Sequence, residues 1–125
     1  MSEEFVELEK LPYTTAECDI GPIIESKPGS LLLKYDVETE EGIHWIEITF
    51  SIPIALKITP QRSITKLILQ KAYSRIGEIK DSEWINELRK PDQNNILYEK
   101  LHHYVIYFDH YSVVEIISSA YTIIK

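Results

Sequence analysis

The sequence predicts an α+β domain built mainly from antiparallel β-sheet, and three observations carry that expectation. Residues 31–50 alternate apolar and polar side chains around Thr39-Glu40-Glu41-Gly42, the pattern of a hairpin with one buried face. Residues 101–124 are rich in β-branched and aromatic side chains on both sides of Asp109-His110-Tyr111-Ser112, which predicts a C-terminal β-hairpin (about 101–124) covered on both faces and central to the architecture. One segment between them, about 82–89, carries the start and stop signals of a short helix. At 125 residues, 44% hydrophobic and 26% charged, residues 1–125 are expected to form a single domain that buries roughly two-thirds of its unfolded surface.

In chain order, the charged first ten residues hold only Phe5, Val6 and Leu8 as apolar anchors, so a short edge strand or a frayed lead-in is expected. From Leu11 to Ser30, Pro12, Pro22, Pro28, Gly21 and Gly29 interrupt every period and predict a long surface connection. The first hairpin pairs Leu31 with Phe50, Leu33 with Ile48, Tyr35 with Ile46 and Val37 with His44 on one face. Its other face carries Leu32/Thr49, Lys34/Glu47, Asp36/Trp45 and Glu38/Ile43, and Lys34 opposite Glu47 is a cross-strand pair of roughly 0.2–1 kcal/mol. Ser51–Ile58 continues as a strand whose Pro53 signals a sheet edge or a bulge.

Gln61–Tyr73 fits two patterns: Ile64, Ile68 and Ala72 share a helix face, whereas Ile64, Leu67 and Leu69 suit an extended chain. Tyr73–Lys80 reads as a strand. Asp81 then caps a helix over Ser82–Arg89, with Glu83 in the first turn, Lys90-Pro91 at the end and Trp84, Ile85 and Leu88 as the buried stripe. In the closing hairpin the expected register sets Phe108 against Val113, Ile106 against Glu115, Tyr104 against Ile117 and His102 against Ser119.

The net charge of −7 is uneven: residues 1–60 hold 12 Asp/Glu against 4 Lys/Arg, and residues 61–125 hold 8 against 9. Phosphate backbones and anionic lipid are held by neutralising their charge with Lys and Arg, so nucleic acid and membrane are not expected partners. A basic protein would be steered toward the acidic half. Cys18 is the only cysteine, the N-terminus has no signal-peptide pattern and no apolar run reaches bilayer length; the expected location is the cytoplasm.

Four glycines make neither a dinucleotide fingerprint nor a phosphate loop, and nucleophile-elbow, paired-cysteine and His-Glu-x-x-His patterns are absent, so no cofactor is expected. His102, His103, Asp109 and His110 lie close in sequence. Adjacent strand residues point to opposite faces, so at most one of His102 and His103 can join an ion with Asp109 or His110, and no metal site is assigned. Asp109 and His110 read as turn residues.

Two surfaces remain. Asp36, Glu38 and Glu47 share the polar face of the first hairpin with Trp45, an aromatic in the strand phase that faces water, which is the composition of a binding hot spot for a basic partner. In the expected closing register Glu115 shares a face with His102 and Tyr104, an alternative pocket in which burial would raise a carboxyl pKa.

Ala72-Tyr73, Ile79, Asp81-Ser82-Glu83-Trp84, His103-Tyr104-Val105-Ile106-Tyr107-Phe108 and Glu115 follow a layout that resembles small bacterial proteins, mostly uncharacterised, some of them immunity partners of toxins. The resemblance implies a small bacterial accessory protein and assigns no functional residue. The expected function is thus a non-enzymatic, acidic protein-binding domain, of the kind that masks a basic toxin surface. A small-molecule binder or enzyme using Glu115, His102 and Tyr104, and a homodimer whose closing hairpins pair or pack, are the alternatives.

Overall fold

Two antiparallel sheets face each other across one apolar layer in a computed structural model that describes residues 3–12, 22–64, 67–92, 100–108 and 111–124. The strands are β1 (Glu4–Lys10), β2 (Ile23–Lys27), β3 (Ser30–Thr39), β4 (Gly42–Ser51), β5 (Ala55–Pro60), β6 (Arg75–Lys80), β7 (His102–Phe108), β8 (Ser112–Ser118) and β9 (Ala120–Ile124), with helix α1 at Glu83–Arg89. One sheet has the order β1-β6-β7-β8-β5 and the other β2-β3-β4-β9. Among the described residues, predominantly antiparallel sheet with one short helix gives the α+β class that alternation and the closing apolar segment predict.

The first hairpin has the expected register from Leu31/Phe50 to Glu38/Ile43. Leu33, Tyr35, Val37, Ile46, Ile48 and Phe50 are all buried in the layer between the sheets. Lys34 stands opposite Glu47, but its ammonium reaches across to Glu25 of β2 at 3.0 Å. The stretch before β3, expected as a connection, contains β2. Lys27 pairs with Ser30 across Pro28-Gly29, and Gly29 has φ +76°, the left-handed second corner of a two-residue turn. The lead-in forms edge strand β1, which bulges between Glu7 and Glu9 and pairs with β6. There the Phe5 ring lies directly on Gly77, where any Cβ would collide with it.

The closing hairpin is corrected in two ways. Its second strand ends at Ser118, and residues 120–124 cross to the other sheet as β9, paired with β4; the hairpin is therefore 102–118 rather than 101–124. Its register is also one residue from the expected one: His102 faces Ser118, Tyr104 faces Ile116, Ile106 faces Val114 and Phe108 faces Ser112. With apolar residues on both sides, a slip of one residue exchanges one apolar set for another and alternation does not discriminate. The even-numbered residues Tyr104, Ile106, Phe108, Val114 and Ile116 face the other sheet. Val105, Tyr107 and Val113 face outward under Leu69 and Ala72 of a 3-10 segment, Leu67–Ala72. The segment with two competing patterns thus forms 3-10 turns, Gln61–Ser63 and Leu67–Ala72, neither α-helix nor strand. Strands β7 and β8 have a neighbour on each side, so the hairpin is buried within the monomer and has no edge to pair with a second copy.

Helix α1 starts one residue later than expected. Ser82, not Asp81, is the N-cap: its Oγ accepts the Ile85 N–H at 3.1 Å, while Asp81 takes φ +56° in the preceding turn. Trp84, Ile85 and Leu88 are half-buried.

Candidate binding surface

Alternation along β3 and β4 sorts Lys34, Asp36, Glu38, Ile43, Trp45 and Glu47 onto the outer face of the four-stranded sheet. Ile124 of β9 joins them, opposite Glu47. Trp45 is 41% exposed, flanked on that face by exposed Ile43 and Ile124. Lys34 Nζ sits between Glu25 and the Trp45 ring, 5.9 Å from the ring centroid. Of the three carboxylates expected around Trp45, Glu38 is exposed and Glu47 half-buried. Asp36 is fully buried, which corrects its assignment to a solvent-facing acidic ring. At the hairpin tip, Thr39, Glu40, Glu41 and His44 line an open recess of about 300 Å³; Thr39 and His44 are in the register phase of Val37, opposite to that of Trp45, so the recess is not part of the Trp45 face.

The alternative pocket does not assemble. His102 and Tyr104 are on the inward face of β7, and Glu115, register partner of Val105, is on the outward face. The carboxylate that does meet His102 is Glu78 of β6, with Oε2 2.7 Å from His102 Nδ1 and Oε1 3.2 Å from Lys80 Nζ. Tyr104 packs at a tilt against His102 and Phe50 and edge-on against Tyr121, and Tyr121 donates to Glu9 at 2.7 Å. Burial, and secondarily the negative charge of Glu78, pushes the Tyr104 hydroxyl up to about 12. Burial also raises Tyr121, followed by its hydrogen bond to Glu9.

Glu115 belongs to a different network. Its Oε1 is 2.9 Å from His103 Nε2, and His103 Nδ1 is 2.7 Å from Ser82 Oγ, with all three residues buried. Neutral His103 satisfies every group: Nε2–H donates to the Glu115 carboxylate, Nδ1 accepts from the Ser82 hydroxyl, and Ser82 Oγ accepts from Ile85 N–H. A Ser-His-Glu set invites comparison with a nucleophilic triad. Here Ser82 is buried under the helix it caps, and the imidazole packs at 5.3 Å against Trp84, itself covered by Lys57 at 4.4 Å, so no open surface is left for a substrate at the hydroxyl. The network pins α1 to the sheet. The expected register gives Glu115 to His102, because the slip of one residue puts the wrong histidine on its face; in the sequence His103 stands out only beside His102, Asp109 and His110 as a possible metal ligand.

Among the described residues no three His, Cys, Asp or Glu side chains group as metal ligands, and Asp109 and His110 lie outside those residues. No helix of the described residues is long and apolar enough to cross a membrane. Comparison with known proteins found no matching family, curated protein or solved structure.

Proposed function

We propose that the chain is a non-enzymatic protein-binding domain that docks a basic partner on the outer face of its four-stranded sheet. The observation that carries this reading is Trp45, 41% exposed between exposed Ile43 and Ile124. An exposed aromatic with two exposed aliphatic side chains on its face supplies the kind of buried area from which binding hot spots draw their free energy. Charge supplies the partner's sign. Glu38 lies on that face at its hairpin end, and exposed Glu40 and Glu41 follow in the turn, in a protein whose first 60 residues hold 12 carboxylates and 4 cations. The carboxylates attract lysine or arginine side chains of the partner, while Trp45 takes an apolar contact. A toxin whose basic surface is masked by this face is the form of the proposal that the sequence resemblance favours.

The test is quantitative capture with immobilised protein, comparing wild type, Trp45→Ala and the Glu38→Gln/Glu40→Gln/Glu41→Gln triple variant. Trp45→Ala is expected to weaken the partner by about 2 kcal/mol or more. The triple variant is expected chiefly to slow association and to flatten its dependence on salt. Equal capture by all three proteins would overturn the assignment of this face.

A further inference from the structure

The two edges of the five-stranded sheet are built differently. β1 is defended by Glu4, Glu7, Glu9 and a bulge, the devices that keep an edge from pairing with another chain. β5 has one charge, Lys57, and it and the residues leading into it present large aliphatic side chains at Ile52, Ile54, Leu56 and Ile58, all exposed, with Ile58 at 51%. Ile52 also has φ +50°, a left-handed conformation that a β-branched residue adopts only at a cost, and it holds the chain at the crossing from one sheet to the other. Beside these side chains the sandwich is open: Ile24 and Leu31 of one sheet and Pro53, Ile54 and Leu56 of the other line a groove of about 310 Å³.

Hydrogen-bond phase shows which backbone groups of β5 face outward. Gln61 N–H donates to the Tyr111 carbonyl, continuing the ladder in which Pro60 faces Ser112. Bonded pairs alternate along an antiparallel ladder, so Ala55, Lys57 and Thr59 turn their N–H and C=O groups toward β8. Leu56 and Ile58 turn theirs away from the sheet, where among the described residues no strand lies. Pro60, next in that phase, offers only a carbonyl. At the other end Ile54 N–H donates to the carbonyl of Ile117, the partner of Ala55, which is the two-against-one geometry of a bulge. The available edge is therefore short and bounded.

We propose that β5 is a dimerisation edge, paired antiparallel with β5 of a second copy across a two-fold axis at Ile58. In this register Ile58 meets its symmetry mate, and Leu56 N–H meets the Pro60 carbonyl of the other chain. Lys57 faces Thr59. The neighbouring register, centred on Lys57, is disfavoured because it sets two ammonium groups directly opposite each other. The pairing joins the sheets of two copies, covers the apolar side chains of both edges and leaves the outer face with Trp45 free. A heterologous strand would need to be apolar and extended in the same way. The second copy is favoured because its own β5 already has that pattern and ends in a proline where the pairing stops.

Sedimentation equilibrium of the full chain across the micromolar range tests this. The expected result is a rise from the 14.6 kDa monomer toward twice that mass. Ile58→Lys should weaken the dimer by roughly tenfold or more by placing two cations at the axis. Ile43→Lys, on the other sheet, should leave it unchanged. As a second measurement, Ile58→Cys in a Cys18→Ser background should form an intermolecular disulfide under mild oxidation, since residues facing each other across such a ladder lie within disulfide range; Ile43→Cys should not. A monomer at every concentration, or a dimer insensitive to Ile58→Lys and without the disulfide at position 58, overturns the proposal.

Discussion

The hairpin β3–β4 and the hairpin β7–β8 are both pairs of antiparallel strands, yet only the first could be registered from sequence. In β3–β4 a slip of one residue would, with β3 in place, expose Ile46, Ile48 and Phe50 and bury Glu47 among Leu33 and Tyr35, so polar side chains on one face enforce a single alignment. In β7–β8 all residues but His102 are buried, and a slip exchanges Ile117 for Ile116 opposite Tyr104 without an obvious penalty. What distinguishes the alignments is the polar pair. In the observed register His103 and Glu115 share a face, two positions apart across the ladder, and bond at 2.9 Å; in the alternative they lie on opposite faces. Burying polar side chains in a partnered set thus contributes alignment where apolar packing is indifferent.

The most severe break in this comparison is His103→Leu. It leaves the buried Glu115 carboxylate and the Ser82 hydroxyl without their shared partner, and the expected loss is about 3–5 kcal/mol in urea unfolding. The double variant His103→Leu/Glu115→Leu should recover a large part of that loss, because the stranded charge is gone. If it instead loses the sum of the two single changes, the pair is not coupled and has no role in alignment.

Within β3–β4 the contrast should lie between faces of one hairpin. Ile48→Ala removes a fully buried side chain and should cost about 2–5 kcal/mol. Lys34→Ala, which loses the exposed pair with Glu25, should cost no more than about 1 kcal/mol by the same denaturant measurement. Equal costs would mean that the alternation does not describe burial.

The smallest expected effect concerns the place where the two hairpins' sheets touch, Tyr104 against Tyr121, with ring centroids 5.1 Å apart. Both hydroxyls hold their protons more tightly folded than unfolded, Tyr104 up to about 12 against an ordinary value of 10.0. Their contribution is therefore complete below pH 10 and is lost as pH rises through about 12. Thermal unfolding from neutral to alkaline pH should show this decline, and Tyr104→Phe/Tyr121→Phe should reduce it. An undiminished decline in that variant would place the alkaline sensitivity elsewhere.

The exposed edge β5 was legible in part, through Pro53, but β2 was not, although Pro28-Gly29 is the turn signal of a two-residue hairpin. Prolines at 12, 22 and 28 made the whole stretch resemble a loop, and a five-residue strand leaves little periodicity to read. The division of the last apolar segment into β8 and β9 was also hidden. Ser119 is all that marks it, and the turn from one sheet to the other is fixed by backbone bonding of Ser119 N–H to the Ser51 carbonyl at 3.0 Å, far away in sequence.

Elements whose information is local are legible in the amino-acid order: the alternating strands 31–38 and 43–50 with their register, the helix start near Ser82 and an exposed phase for Trp45. Each follows from side-chain periodicity or a cap within a few residues. The pairing of His103 with Glu115 and Ser82, that of His102 with Glu78, the burial of Asp36 and the edge position of β5 arise only in the folded chain. Those depend on which strands become neighbours. Where both faces of a strand are apolar, many pairings bury the same surface, and the choice among them falls to a few polar contacts between residues distant in the chain.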